Sequence, residues 1–171
     1  MHNSLEKIMN IKCLQCGSMM RKTIDDYRYI DCGLKNVALK NIEIFVCTQC
    51  DENEIAIPDM GGLHNLIATT VASQPSRLLP EEIRLLRTHL GFSGVNFARA
   101  IDVAPETVSR WETGKEKMSL SLERFLRTLI LYRFGPFRNY GQELTQFGIK
   151  NKSKPVRRVF VSKNHKWKAA A

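Results

Sequence analysis

Cys13-Leu-Gln-Cys16-Gly and Cys47-Thr-Gln-Cys50 are two Cys-x-x-Cys pairs with 30 residues between them. Two residues between cysteines let both sulfurs and the turn joining them wrap one ion. Two such knuckles supply a closed tetrahedral set of four thiolates. That is the donor set of a structural Zn2+ site, one ion per chain, held by Cys13, Cys16, Cys47 and Cys50; iron fits the same cage. Because every ligand comes from the protein, no position is left for a reactive water. Thioredoxin-like redox chemistry, the competing use of the motif, wants one pair at the start of a helix, not two on strand ends. Cys32 has no partner at knuckle spacing and reads as a buried or incidental thiol. His2, His64, His89 and His165 are scattered, as surface or capping residues are.

A second constellation lies in the back half, where polar residues share one face of a short helix. Pro80-Glu-Glu opens a helix, with carboxylates at the positive end of its dipole; Ile83, Leu86 and Leu90 stripe it, and Gly91 ends it. Ser93 caps a second helix over 94–101, and after Asp102-Val103 a third runs from Pro105 to Thr113 and stops at Gly114. Ala98 is small, as a close helix crossing requires, and Asp102 falls where the turn needs a residue tolerant of positive φ. Phe97, Ile101, Val103, Val108 and Trp111 are the apolar inward positions. Glu106, Thr107, Ser109 and Arg110 take the other face of the third helix. This register is that of a DNA-binding helix-turn-helix; a plain three-helix core shares its stripes but not its small–turn–apolar sequence.

At Val103-Ala-Pro-Glu-Thr-Val-Ser-Arg-Trp-Glu-Thr-Gly114 the chain resembles the Xre/Cro family of phage-repressor-like domains. The resemblance covers about residues 80–134. It implies that the front of this helix enters the major groove and that residues after Gly114 approach phosphates. The site residues so implied are Ser93, Pro105, Glu106, Thr107, Ser109, Arg110, Lys115 and Lys117. Gly94 stands where the family usually has Gln. Taken with the two knuckles and Ile57-Pro58…Leu63, the chain from 11 to 134 resembles the MqsA-type antitoxins, whose front half is a YgiT-type zinc finger. That resemblance implies a dimeric repressor whose zinc domain binds a cognate ribonuclease toxin while the rear half binds its own operator. Of the Asn and Arg that read bases in those antitoxins, the Arg matches Arg110, and the Asn position holds Glu106.

These sites need an α+β chain. The expected order is a small β-rich, zinc ribbon-like domain over 11–58, a connecting helix and hinge over 59–78, an all-α helix-turn-helix domain over 79–137, and a basic flexible tail over 138–171. Strand-like alternation, as in Ile42-Glu-Ile-Phe-Val46, supports the first, and Leu63, Leu66, Ile67 and Val71 at helical spacing support the second. Val156 to Val161 has the pattern of a short strand, without an obvious later partner. With 171 residues and a net charge of +9, the chain is long enough for one domain or two small ones. Its charge is uneven: −2 over 1–60, +4 over 61–150 and +7 over 151–171. A basic rear suggests a polyanion; the helix-turn-helix and the resemblance imply that it is double-stranded DNA with a palindromic operator. Lys152, Lys154, Arg157, Arg158, Lys163, Lys166 and Lys168 add phosphate affinity from the tail.

Leu122, Phe125, Leu126, Leu129 and Ile130 form one helical face, extended by Leu131, Tyr132 and Phe134. This is more apolar surface than one small core needs, so a homodimer is expected, with Leu129, Ile130, Leu131, Tyr132 and Phe134 at its interface. No apolar run reaches the ~18 residues of a spanning helix, and the opening residues lack a secretory signal, so a cytoplasmic protein with reduced cysteines is expected. No nucleophile–base pair or open metal position argues for an enzyme. Two other functions fit the same features: a zinc-ribbon transcription factor without a toxin, and a zinc-stabilised protein- or RNA-interaction module.

Overall fold

The computed structural model describes residues 11–135 and 155–170. Its backbone is one mixed sheet with five helices, an α+β architecture. Strand β1 (Met20–Arg28) pairs antiparallel with β2 (Val37–Cys47), the longest strand. Val37, Leu39, Ile42, Phe45 and Cys47 are the buried residues of β2, a period of two broken on either side of Ile42: Val37, Leu39 and Ile42 join the main core, and Phe45 and Cys47 a second, smaller cluster. The first break is at Asn41, whose φ of 58° shifts the phase of alternation. The β1–β2 register shifts at the same level, between Asp25 and Tyr27.

The other edge of β2 is shared. Its later half takes β3 (Asn53–Ala56) antiparallel, and its earlier half takes β4 (Arg158–Lys163) in parallel. β4 then turns at Asn164 and His165, both at positive φ, into β5 (Lys166–Ala170). Two expectations are corrected here. Residues 158–170 are not a flexible tail but the far edge of the sheet, with Phe160 fully buried and Trp167 Nε1 donating to Pro58 O at 2.7 Å. The expected strand over 156–161 finds its partner in β2, more than a hundred residues earlier, which local sequence does not reveal. Lys152, Lys154 and the start of the expected tail lie outside the described residues.

The helices are α1 (Met60–Ser73), α2 (Pro80–His89), α3 (Gly94–Ala100), α4 (Pro105–Glu112) and α5 (Leu120–Phe134). α1 buries Leu63, Ile67, Ala68, Val71 and Ala72, and packs against α5, α2 and β5. One apolar cluster runs from Tyr29, Leu34 and Leu39 of the sheet region through α1 to Leu86, Val108, Leu126 and Ile130 of the helices. The segment expected to be a hinge is pinned instead. Arg127, fully buried, donates to the carbonyls of Ala72, Gln74 and Ser76, and pairs with Glu123 at 2.8 Å. Arg77 Nε and the Leu78 amide both bind the same Glu123 carboxylate, at 2.6 and 3.0 Å. Buried charges of this kind persist only when paired and hydrogen-bonded.

Candidate metal centre and nucleic-acid interface

The first knuckle precedes β1. Cys13 N donates to Ser18 O and Gly17 N to Cys13 O, closing a tight turn in which Gly17 takes φ 75°, a value that favours glycine. The second knuckle leaves the end of β2, where Cys47 N donates to Glu52 O and Gln49 N approaches Cys47 Sγ at 3.4 Å. The register Met20↔Cys47 brings the two turns together. Beneath them Cys13, Met20, Phe45 and Cys47, with Ile11 against them, form a small apolar cluster separate from the main core. Cys13 and Cys47 are buried, while Cys16 and Cys50 face outward.

All four sulfurs lie within 4.8 Å of one another, and the Cys13–Cys50 and Cys16–Cys47 pairs are each at 3.5 Å. A tetrahedron with Zn–S bonds of about 2.3 Å has edges of about 3.8 Å, so this donor set fits. The cluster could therefore hold a metal ion such as zinc. Its electrostatics favour a cation. The Ser18 hydroxyl, and then its amide, pull Cys16 down to about 6. For Cys50 the Glu52 amide pulls downward, but the neighbouring thiols of Cys16, Cys47 and Cys13 outweigh it and hold the group up at about 12. Four crowded sulfurs do not all ionise without a positive charge among them.

The second site is built on α4. Ser93 Oγ accepts from Asn96 N at 3.1 Å and caps α3. Ala98 is fully buried, as its place between α3 and α4 requires, and Asp102 turns the chain at φ 54°. The remote end of α4 is fixed by a forked ion pair, Arg87 Nε and Nη2 to the two oxygens of Glu112 at 2.5 and 3.0 Å. Arg87 also donates to Phe92 O, so one side chain ties α2, the α2–α3 turn and α4 together. On α4 Val108 and Trp111 face the core, and Ile101 and Val103 pack against it, half-buried. Pro105, Glu106, Ser109 and Arg110 are exposed, as are Lys115 and Lys117 just beyond; Thr107 is half-buried. Arg110 approaches Glu116 at 3.7 Å, an exposed pair that is weak in water.

Compared with protein-family models, curated proteins and solved structures, the chain matches none. The case for function rests on its own residues.

Some site residues behave differently from expectation. Ile130 and Leu131 are buried in the chain's own core, so they do not belong to a dimer interface. Phe134 packs on His89, with ring centroids 4.5 Å apart. The exposed members of that face are Phe125, Tyr132 and in part Leu129, at positions i, i+7 and i+4 of one stripe. Arg84, which sequence reasoning passed over, lines a groove with Pro105, Ser109 and Thr113.

His64 and His89 are not surface residues. His64 Nε2 lies 2.6 Å from the Tyr29 hydroxyl, and His89 Nε2 lies 3.0 Å from Asn65 Oδ1. Both line a recess with Cys32, whose thiol is pushed up by burial and is therefore a poor nucleophile. Among the described residues no helix is long and apolar enough to cross a membrane.

Proposed function

We propose that this chain is a sequence-specific DNA-binding regulator of the antitoxin type, with a structural zinc ion in the four-cysteine cage. In this reading α3 and α4 are the helix-turn-helix, and α4 lies in the major groove. The observation that carries it is the division of α4: Val108 and Trp111 inward, Glu106, Ser109 and Arg110 outward, with Lys115 and Lys117 exposed at the helix's end. A helix so divided, held at its far end by Arg87, presents a fixed polar face of groove-binding size.

Arg110 is long enough to set its fork on guanine O6 and N7, Glu106 can accept from a cytosine amine, and Thr107 can meet a thymine methyl. Lys115 and Lys117 then set register on phosphates without reading sequence. Binding as a homodimer would place two such helices about 34–36 Å apart on a palindromic operator. The exposed Arg157, Lys163, Lys166 and Lys168 of the C-terminal hairpin add salt-sensitive affinity. Leu14 on the first knuckle is 91% exposed, and Met19 and Ile24 are exposed nearby in sequence. Such apolar groups on a metal module support a protein partner there, as the resemblance to toxin-binding antitoxins implies.

The test is selection of a duplex site from a random pool, followed by binding of two variants. Arg110→Ala should lose roughly 1–3 kcal/mol and relax preference at one base pair per half-site, while Lys115→Ala should weaken all sequences alike. Unchanged affinity and selectivity in Arg110→Ala would remove α4 from the role assigned to it.

A further inference from the structure

The C-terminal end of the sheet has one face covered by helices and one bare. On the covered face Leu39 of β2 and its partner Phe160 of β4 are fully buried, and Arg158 reaches Glu82 of α2. α1 packs on β5, and α4 is carried on that same side by α2.

Side chains alternate along a strand and paired residues share a face, so the register defines the bare face as well. Arg28, Ala38, Val159 and Ala170 form one row across β1, β2, β4 and β5. Lys40, Val161 and Lys168 form the next, and Lys163 pairs with Lys166 beyond them. Arg157 continues the alternation just before β4 and lines a groove with Arg28 and Lys35. All these cations are exposed, and none is in an ion pair among the described residues. Asp26 is the one acidic residue of that groove, and residues 155–171 contain none.

An array of one sign selects a partner of the other. Residues two apart on a strand stand ~7 Å apart and neighbouring strands ~5 Å apart, so the cations are closely set. Duplex DNA offers one negative charge per ~1.7 Å of its axis and gains by releasing counterions to such a surface. The middle of the face holds only Ala38, Val159, Val161 and Ala170, with no aromatic side chain to anchor a protein or to enter a lipid surface. We propose that this face is a second DNA-binding surface, which grips the phosphate backbone of a duplex without reading its sequence and independently of α4. In the function proposed above, a molecule seated on its operator through α4 then offers this face to another DNA segment. The grip itself rests on the charges alone, whether or not α4 reads bases.

The experiment measures binding of a fluorescent random-sequence duplex to the full-length, metal-loaded protein by anisotropy over a range of salt concentrations. Lys40→Gln/Lys163→Gln/Lys168→Gln should bind roughly tenfold more weakly, with a salt slope smaller by about two to three. Lys12→Gln/Arg21→Gln/Lys22→Gln removes the same charge near the knuckles and should bind as the parent does, as should Arg110→Ala. Far-ultraviolet circular dichroism checks each fold, and single Lys163→Gln and Lys168→Gln variants serve if the triple folds poorly. An unchanged slope in the sheet variants, or an equal loss in the charge-matched control, would overturn the surface. An equal loss in Arg110→Ala would overturn its independence of α4. Poly-glutamate, or vesicles containing phosphatidylserine, displacing the duplex as well as unlabelled duplex does would overturn the assignment to DNA. Loss of operator preference in Arg110→Ala is a separate readout, and its absence would sink the reading of α4 while leaving this face in place.

Discussion

Cys47 is buried at the end of the longest strand, so its sulfur serves the thiol cluster and the small apolar cluster beneath it. Cys47→Ser should therefore remove the metal and loosen the knuckles together. Structural zinc in small modules contributes about 10–16 kcal/mol of apparent stability, far more than that small cluster can replace. The main core lies apart from the knuckles, so helical circular dichroism should persist while metal content falls from one equivalent towards none. Acid should do the same reversibly. Cys50, held at about 12 without metal, must give up its proton to become a ligand, so metal uptake releases protons and protons compete with metal as pH falls. A colorimetric zinc indicator should detect little release at neutral pH and progressive release on acidification. Release independent of pH would contradict thiolate ligation.

Among the elements, the C-terminal hairpin bears most on stability. Arg158 of β4 is buried and donates through Nη2 to Glu82 of α2 and to Gln74 of the α1–α2 connection. Removing only Arg158 leaves the buried Glu82 carboxylate without the cation it binds, with only Gln74 Nε2 and the Leu79 amide still donating to it, which costs about 3–5 kcal/mol. Arg158→Met should lower the unfolding midpoint strongly in chemical denaturation, and Arg158→Met combined with Glu82→Gln should recover much of the loss. Equal destabilisation by the single and double variants would mean that packing, not charge, holds the hairpin.

None of this was legible in the sequence, where Arg158 reads as one more cation in a basic run. Local pattern carried the knuckles, the cap at Ser93, Pro105 in the first turn of α4, and the boundaries of α2 to α4, because each depends on residues within a turn of one another. It did not carry the parallel pairing of β4 with β2, nor the pinning of 72–78 by Arg127 and Glu123. Those depend on partners 45 to 55 positions apart in the case of Glu123 and Arg127, and further for β4. A segment with Pro75 and Ser76 looks like a hinge until the buried guanidinium that takes its carbonyls is known.

At the scale of the whole molecule, the proposed function raises the question of how one chain with so short a helix as α4 would gain a specific site on DNA. A single eight-residue helix contacts only a few base pairs, and the chain's charge of +9 adds affinity without selectivity. Pairing two copies doubles the bases read and fixes their spacing. The surface left for pairing is narrower than the apolar face of α5 suggests, since Leu126, Ile130 and Leu131 are spent on the chain's own core. What remains is the stripe of Phe125, Leu129 and Tyr132, with Phe125 48% and Tyr132 70% exposed. An isologous contact along this stripe buries the same residues on both copies, so two changes per chain act as four. Phe125→Ala with Leu129→Asp should keep the far-ultraviolet spectrum and the metal content of the parent. Light scattering at tens of micromolar should report a mass near 19.6 kDa for the variant and twice that for the parent. Operator binding should fall towards that of a half-site, with the preference within each half retained, because α4 itself is untouched. A parent that is monomeric at that concentration would leave α5 as an ordinary surface helix and place any pairing elsewhere.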